Sequence, residues 1–212
     1  MKENIISAMN WRYATQTFDT SKKVSPEDFE TILESGRLSA SSFGLEPWKF
    51  IVVENPETRK ALSAPAYGQS KVTDASHLIV IARRTDAREN IVAERIARTA
   101  KAMNVPESSF ADFKAMLDGT VGGRDDQALD TWLRSQVYIP LGSMMETASL
   151  LQIDNAAMEG FDPKEVDAVL GLAEKNLTST VMLALGYRSK EDAMATRPKV
   201  RRAFDEVVEF IK

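Results

Sequence analysis

Basic residues near both ends of the chain are the first candidates for binding chemistry. Arg12 lies in the segment of residues 11–18, and residues 196–202 form a basic cluster that contains Lys199 and Arg201. A guanidinium can bind a phosphate through two parallel hydrogen bonds. Because the formal net charge is -4, an anion site must depend on a local cluster of cations. Taken alone, Arg12 fits a surface salt bridge better than a phosphate site. The basic cluster could equally have no ligand.

Two short segments in the body of the chain could approach a ligand closely. Ser41, Ser42 and Phe43 precede Pro47-Trp48, and Glu159-Gly160 lies between a predicted strand and a predicted helix. Gly160 permits backbone geometries that other residues resist, so that amide groups there can face a ligand. Taken alone, the serine segment fits an ordinary helix-to-strand loop better, with its tryptophan in the core, and Glu159-Gly160 is equally typical of a simple strand-to-helix turn.

Lys71 and His77 are isolated titratable side chains in the sequence. A lone lysine is usually solvated. His77 opens an apolar segment, which favours a structural hydrogen bond over the role of a catalytic base.

The amino-acid composition excludes several classes of chemistry. The chain has no cysteine and one histidine, which excludes thiol nucleophiles and iron–sulfur ligation and argues against a metal site or a Ser-His-Asp triad. Redox chemistry would therefore need a bound organic cofactor. The acidic balance argues against nucleic-acid and membrane partners. No G-x-G-x-x-G turn follows a strand, so a Rossmann nicotinamide site is unsupported.

Neither a signal peptide nor a membrane span is predicted. The first nine residues are too polar for a signal peptide, and the longest apolar runs, such as residues 78–82, are far shorter than a span. We therefore expect a cytoplasmic protein.

Four segments predict the strands of a small sheet: residues 49–53, 77–82, 154–158 and 178–186. The first two do not alternate between apolar and polar residues, which predicts that they are buried on both faces. Helices on both faces of such a sheet indicate one α+β domain over residues 1–212.

Local signals predict where the helices begin and end. Ser25-Pro26, Asn55-Pro56 and Asp162-Pro163 are typical helix starts. Gly36 is predicted to end the first of these helices. A long helix is predicted over residues 126–151, and Pro140 within it should cause a kink or leave one carbonyl unpaired.

Five segments, taken together and in this order, resemble the FMN-dependent nitroreductase family, especially its oxygen-insensitive NAD(P)H nitroreductases and dihydropteridine-reductase-like members. No single segment is specific to this family, but the order and spacing of all five together are. The resemblance extends over nearly the whole chain. The segments are Arg12 to Thr17-Phe18-Asp19, Ser41-Ser42 with Pro47-Trp48, Lys71 with Asp74-Ala75-Ser76-His77, Glu159-Gly160-Phe161-Asp162, and Pro198-Lys199-Val200-Arg201.

This resemblance implies a nitroreductase-like fold and an interlocked homodimer. The sheet would be small, mixed and mostly antiparallel, with a last strand donated by the partner's C-terminal arm. Two FMN sites would lie at the interface, each built from both chains, and the helix over residues 126–151 would form much of the contact.

The resemblance also implies roles for individual residues. Arg12, Lys199 and Arg201 match the positions that hold the FMN phosphate, and Lys71 matches a lysine at the pyrimidine edge, where a cation stabilises the reduced flavin. The other matching positions are Tyr13 and Ala14 near the ribityl chain, Ser41, Ser42 and Phe43 from the partner, Gly68 and Gln69 toward the pyrimidine ring, Ala157 and Met158 before the turn, and Glu159 and Gly160 at the turn facing flavin N5.

Several positions depart from the family pattern. Gln16 stands where many relatives have a second lysine near the flavin, which should weaken stabilisation of the reduced ring. Gly44 and Ala157 replace a common asparagine and a frequent proline, and Gly68 or Gln69 falls where relatives often use asparagine. Phe110 or Phe113 is a candidate for the aromatic side chain that covers the flavin.

The function implied is an FMN oxidoreductase that takes hydride from NADH or NADPH in a ping-pong cycle. It would reduce nitroaromatics, quinones or similar acceptors, with flavin N5 rather than a protein side chain or a metal carrying the reaction. One alternative is an FMN-binding sensor or carrier without turnover. Another is a helical interaction protein with a basic tail, against which the acidic charge argues.

Overall fold

The computed structural model describes residues 2–212. Its helices alternate with four strands along the chain. The helices are α1 (Lys2–Trp11), α2 (Pro26–Arg37), α3 (Pro56–Ala61), α4 (Lys71–Asp74), α5 (Ala87–Met103), α6 (Ala111–Gly122), α7 (Asp126–Leu150) and α8 (Pro163–Leu170). Within this part of the chain, none of the helices is both long enough and apolar enough to cross a membrane.

The sheet has the strand order β1-β2-β4-β3, and all three pairings are antiparallel. The strands are β1 (Trp48–Val52), β2 (His77–Arg84), β3 (Asp154–Met158) and β4 (Leu177–Gly186). A parallel contact occurs at an isolated bridge between Ala14 and Asn155 of β3. The expected α+β fold with a small, mostly antiparallel sheet is therefore confirmed.

Apolar cores lie on both faces of the sheet. One contains Ile32 of α2 and Met144 of α7 packed against Ile79 of β2. The other contains Val166 of α8 and Leu62 packed against Leu78 of β2. Residues 78–82 of β2 are completely buried, as the absence of alternation predicts, because helices cover the central strands on both sides.

The prediction that residues 49–53 form a strand buried on both faces is wrong for β1. Lys49 is exposed and the other side chains of β1 are only partly buried. The reason is position: β1 lies at an edge of the sheet and pairs only with β2. Its apolar side chains and the unpaired edge of its backbone are therefore open within one chain.

Helix α2 ends at Arg37, one residue beyond the end predicted at Gly36, and its C-cap is Leu38 rather than a glycine. Gly36 lies inside α2 and is buried, and a Cβ at this position would lie 2.9 Å from Met144 Sδ and 3.1 Å from Phe50 Cε2. The residue is small because α2 and α7 approach each other closely. The predicted N-caps are confirmed: Ser25, Asn55 and Asp162 each accept a hydrogen bond from the first turn of the helix that follows.

Helix α7 continues through Pro140 from Asp126 to Leu150. Pro140 has no amide hydrogen, so the Gln136 carbonyl four residues earlier lacks its helical donor, as predicted. The helix packs against α1 and α2 and against the sheet. Its side chains also reach Ser42 in the loop before β1 and Glu159 after β3.

Candidate cofactor site

Three cations form an anion corner at the C-terminal end of α1: Arg12, Lys199 and Arg201. The Lys199 ammonium donates a hydrogen bond to the Arg12 carbonyl oxygen. Burial and the nearby Arg201 lower the pKa of Arg12. Burial, Arg12 and Arg201 together lower the pKa of Lys199. In both cases burial is the larger cause of the lowered pKa, and repulsion between the positive charges adds to it.

The anion corner lacks a counter-charge within residues 2–212. None of its three cations forms an ion pair with a carboxylate there, and the buried Nε of Arg12 has no hydrogen-bond partner. A buried guanidinium nitrogen without a partner is costly unless a ligand satisfies it. A phosphate would supply both the missing acceptor and the missing negative charge, so these residues fit the phosphate of a cofactor.

Arg188 fixes the backbone on both sides of Arg12. Its guanidinium lies 4.3 Å from the ring centroid of Trp11 and 4.5 Å from that of Tyr13. It also donates from Nε to the Asp154 carboxylate at 2.7 Å. Asp154 is 4 % exposed and also accepts from the Arg188 backbone amide at 2.8 Å. This ion pair joins β3, the Arg12 segment and the chain after β4.

Asp192 fixes the next part of the same segment. One of its carboxylate oxygens accepts hydrogen bonds from the backbone amides of Gln16 at 2.7 Å and Thr17 at 3.1 Å. Burial would raise the pKa of Asp192, but these bonds and one from the Met194 amide outweigh it and hold the pKa below its ordinary value. Burial also raises the pKa of Tyr13 to about 12, with Arg188 opposing and Asp192 adding to the shift.

Lys71 is a buried lysine without a contact ion pair in the described chain. It is 8 % exposed, and its ammonium donates to the side-chain oxygen of Gln16 at 3.2 Å. The Gln16 amide in turn donates to the Ala14 carbonyl at 2.7 Å. Burial lowers the pKa of Lys71 while Asp192 opposes the shift. Gln16 therefore fixes the direction of the Lys71 charge without supplying a charge itself.

The Glu159-Gly160 turn is held from two sides. The Gln69 side chain donates to the Gly160 carbonyl at 2.7 Å. From α7, the Tyr138 hydroxyl donates to the Glu159 carboxylate, and Arg134 lies 3.3 Å from the same oxygen. These contacts fix the turn that the resemblance places beside flavin N5.

The remaining residues predicted near this turn differ in exposure. Ala157 and Gly160 are exposed, whereas the Met158 side chain is buried in the core. Met158 could therefore offer a ligand only its backbone. Gly68 and its neighbour Tyr67 both have positive φ, at +70° and +56°, and the Tyr67 ring is largely exposed.

The serine loop, residues 41–46, lies apart from the other predicted residues within one chain. The Ser42 amide donates to the side chain of Gln136 on α7 at 2.7 Å. Phe43, Gly44 and Glu46 all have positive φ. No hydrogen bond within residues 2–212 joins this loop to the anion corner, to Lys71 or to Gly160. Phe110 and Phe113, the candidate covering aromatics, pack against a core that α5, α6 and α7 share.

The sequence did not indicate Arg188, Asp192, Tyr138, Arg134 or Gln136 as contributors. Each acts through a partner far along the chain, such as Asp192 and Gln16, which are 176 residues apart. The one available signal was the spacing of Arg134 and Tyr138, which places both on one side of a helix.

Comparison with known proteins identifies the family. The profile described as "Nitroreductase family" matches residues 9–187. Among curated relatives, a "Putative NAD(P)H nitroreductase" of Staphylococcus saprophyticus is 39% identical over 223 residues, which span 100% of this chain and 99% of the relative. One of the same description from Staphylococcus aureus strain USA300 is 42% identical over 224 residues, with 100% and 97% of the two chains covered.

Solved structures agree on the fold. A nitroreductase family protein from Streptococcus pneumoniae superposes with a TM-score of 0.81 at 25% identity, over 97% of this chain and 99% of the other. A protein of Exiguobacterium sibiricum described as a "putative nitroreductase in complex with FMN" gives a TM-score of 0.81 at 20% identity, over 98% and 97% of the two chains.

Proposed function

This chain belongs to the nitroreductase family, and from that premise we propose that it is an FMN-dependent oxidoreductase that uses NADH or NADPH. The observation that carries the proposal is the anion corner, where the buried Arg12 Nε has no partner within residues 2–212 and three cations face one another without a carboxylate. A cofactor phosphate is the group that this arrangement fits.

The residues of the chain would hold the cofactor at three places. Arg12, Lys199 and Arg201 would bind the phosphate, and Lys71 would face the pyrimidine edge. The backbone of Glu159-Gly160, fixed by Gln69 and Tyr138, would approach the central ring. Bound FMN supplies the chemistry, since it can take hydride from NADH or NADPH and pass it to an electron-poor acceptor in a ping-pong cycle.

The acceptors that this site suits are nitroaromatics, quinones and similar electron-poor molecules. No nucleophile is needed, because the protein contributes placement and electrostatics. The single cation at the pyrimidine edge, Lys71, is held by the neutral amide of Gln16. This edge therefore carries less positive charge than a pair of lysines would give, and the reduced flavin is stabilised less.

We propose a homodimer as the functional unit, because the chain presents apolar surface at the places where a partner would bind. Phe204, Phe210 and Ile211 of the C-terminal arm are 68%, 73% and 94% exposed. The edge of β1 is unpaired within the chain. A second copy whose arm pairs with β1 would cover both surfaces and would bring the serine loop to the partner's cofactor.

The absorption spectrum of the purified protein, before and after anaerobic addition of NADH or NADPH, tests the proposal. Flavin bands that bleach would support both the cofactor and the hydride donors. Bands that persist with either nucleotide would favour an FMN sensor or carrier. A protein that shows no bands even after incubation with FMN would overturn the proposal.

A further inference from the structure

Arg95 of α5 occupies a space that the serine loop leaves for it. Its Nε donates to the Phe43 carbonyl oxygen at 3.1 Å. A Cβ at Gly44 would lie 2.9 Å from both Cζ and Nη2 of Arg95. Gly44 also has a φ of +65°, which side chains disfavour. Gly44 and Arg95 are thus matched: the loop accommodates the guanidinium because this position has no side chain.

The outer end of Arg95 is free to bind a ligand. Within the part of the chain described, its two terminal nitrogens make no hydrogen bond and no carboxylate pairs with it. Arg98, one turn further along α5, lies 3.5 Å from the Gly44 carbonyl and 3.8 Å from the Glu46 carboxylate. Residues three apart on a helix face the same way, so two guanidinium groups lie beside the serine loop.

The loop presents two further groups beside these cations. The Phe43 ring is 40% exposed, and the Ser42 hydroxyl makes no hydrogen bond within residues 2–212. An aromatic ring and a hydroxyl on the loop, with a guanidinium fork from the adjoining helix, suit a ligand that has both a flat ring and a phosphate. A dinucleotide combines those features.

We propose that Arg95, supported by Arg98, binds the diphosphate of NADH or NADPH when the donor enters the flavin site. This inference rests on the proposed function, since the serine loop must lie beside the partner's cofactor. The donor is an anion that approaches a chain with a net charge of -4, so local cations are needed to attract it. The anion corner is a separate site, because its three cations are assigned to the FMN phosphate.

The test compares three donors on the FMN-loaded protein and its Arg95→Gln variant. The donors are NADH, NADPH and 1-benzyl-1,4-dihydronicotinamide, which has the reacting ring and no phosphate. We expect Arg95→Gln to lower kcat/KM for NADH and NADPH by about tenfold or more, which is typical of a lost charged hydrogen bond. The phosphate-free donor should react as well with the variant as with the wild type.

Matched variants separate binding from loop structure. Arg98→Gln should lower kcat/KM for NADH and NADPH less than Arg95→Gln does, and it should also leave the phosphate-free donor unaffected. Arg95→Lys keeps the charge without the planar fork and should fall between the wild type and Arg95→Gln. Lys60→Gln, an exposed cation on α3, removes the same charge elsewhere and should leave all three donors unaffected.

Two results would overturn the inference. One is an unchanged kcat/KM for NADH in Arg95→Gln, and the other is an equal loss for the phosphate-free donor, which would mean that Arg95 only shapes the loop. Either result leaves the proposed function intact if the variant shows flavin bands. If the wild type itself fails to bind FMN, calorimetric titration of the unloaded wild type and of Arg95→Gln with ADP still tests the Arg95 site, since the variant should bind ADP more weakly, and equal binding would reject the inference.

Discussion

The half of the site that one chain completes is built differently from the half that it leaves open. The closed half joins residues 11–18 to residues 154–160 and 187–194 through the Arg188–Asp154 ion pair and the Asp192 hydrogen bonds. The open half consists of the serine loop and the C-terminal arm from residue 203. It has left-handed backbone at Phe43 and Gly44 and exposed apolar side chains on the arm.

The difference shows which property each half controls. Buried charges in the closed half are paired within the chain, apart from the anion corner and Lys71, which has only the neutral Gln16 as a partner. This half should therefore exist before a cofactor or a partner binds. In the proposed homodimer, a second copy would cover the open half. Changes in the closed half should therefore alter the stability of the folded chain, whereas changes in the open half should alter assembly.

Removing residues 203–212 should have the largest effect, because it deletes most of the open half. Without Phe204, Phe210 and Ile211 the apolar arm surface is lost. We expect dimerisation to weaken by about 1,000-fold or more, which is roughly 4 kcal/mol, and FMN affinity to fall with it. Sedimentation velocity measures the first effect and flavin fluorescence the second. Val169→Asp, at an exposed apolar position on α8, is the control. A truncated chain that stays dimeric would contradict the prediction.

Arg188→Ala should produce the largest effect within the closed half. The substitution leaves Asp154 buried without its cation, and Asp154 is 4 % exposed. We expect a loss of about 3 kcal/mol in the free energy of unfolding, at the lower end for a broken buried pair because Arg188 is partly exposed. Urea denaturation measures it. Arg83→Ala breaks an ion pair to the exposed Asp130 and should cost less, so equal losses would disprove the contrast.

Arg12→Ala should affect ligand binding rather than folding. The side chain is unpaired in the structure, so its removal strands no carboxylate. We expect FMN affinity to fall by roughly 30-fold, about 2 kcal/mol, as for a lost charged hydrogen bond. Unfolding of the FMN-free protein should be nearly unchanged. Fluorescence titration with FMN gives the affinity, and the exposed Arg202→Ala serves as the control. A large loss of stability without FMN would place Arg12 in a structural role.

Asp192→Asn should reveal a pH-dependent contribution of the closed half. Because hydrogen bonds hold the pKa of Asp192 below its ordinary value, its stabilisation is present above pH ~4 and is lost as the pH falls through the folded pKa. We expect the free energy of unfolding of the wild type to exceed that of the variant by about 1–2 kcal/mol at pH 7. The difference should shrink toward pH 3 in thermal unfolding. A difference that does not change with pH would refute this assignment.

Gln16→Lys should have the smallest effect of these changes, a small rise in the reduction potential of the bound flavin. A second cation beside Lys71 would stabilise the reduced flavin. It should raise the affinity for reduced flavin, relative to that for oxidised flavin, by about threefold. That ratio corresponds to a rise of roughly 15 mV in the two-electron midpoint potential. Anaerobic redox titration measures the potential, with Gln69→Lys as a position-specific comparison. A lower potential in Gln16→Lys would exclude the placement of Gln16 at the pyrimidine edge.

The sequence predicts well those features that depend on neighbouring residues. Helix starts at Ser25, Asn55 and Asp162 follow from capping chemistry within one turn, and β3 has the limits predicted for it, residues 154–158. The partial exposure of β1 could not be predicted from neighbouring residues. A run of apolar residues is the same at an edge as in the centre of a sheet, and only the pairing order distinguishes them.

Predictions for the site divide along the same line. The resemblance supplied the cofactor positions, and the structure brings Gln16 to Lys71, Gln69 to Gly160 and Lys199 to Arg12. Whether those residues bind FMN stays a prediction. Arg188 and Asp192 were missed because their roles depend on contacts with residues more than 30 and 170 positions away.

One turn of α7 has a mechanical consequence. Arg134 and Tyr138 contact Glu159 from one side of the helix, and Gln136 contacts Ser42 from the other, about 200° around the axis from Arg134. A small rotation of α7 about its own axis would therefore move these two anchoring points in opposite directions. In the proposed homodimer, such a rotation would displace both the chain's own Glu159-Gly160 turn and the serine loop that it would contribute to its partner's site. A substitution that rotates α7 would then alter both cofactor sites together.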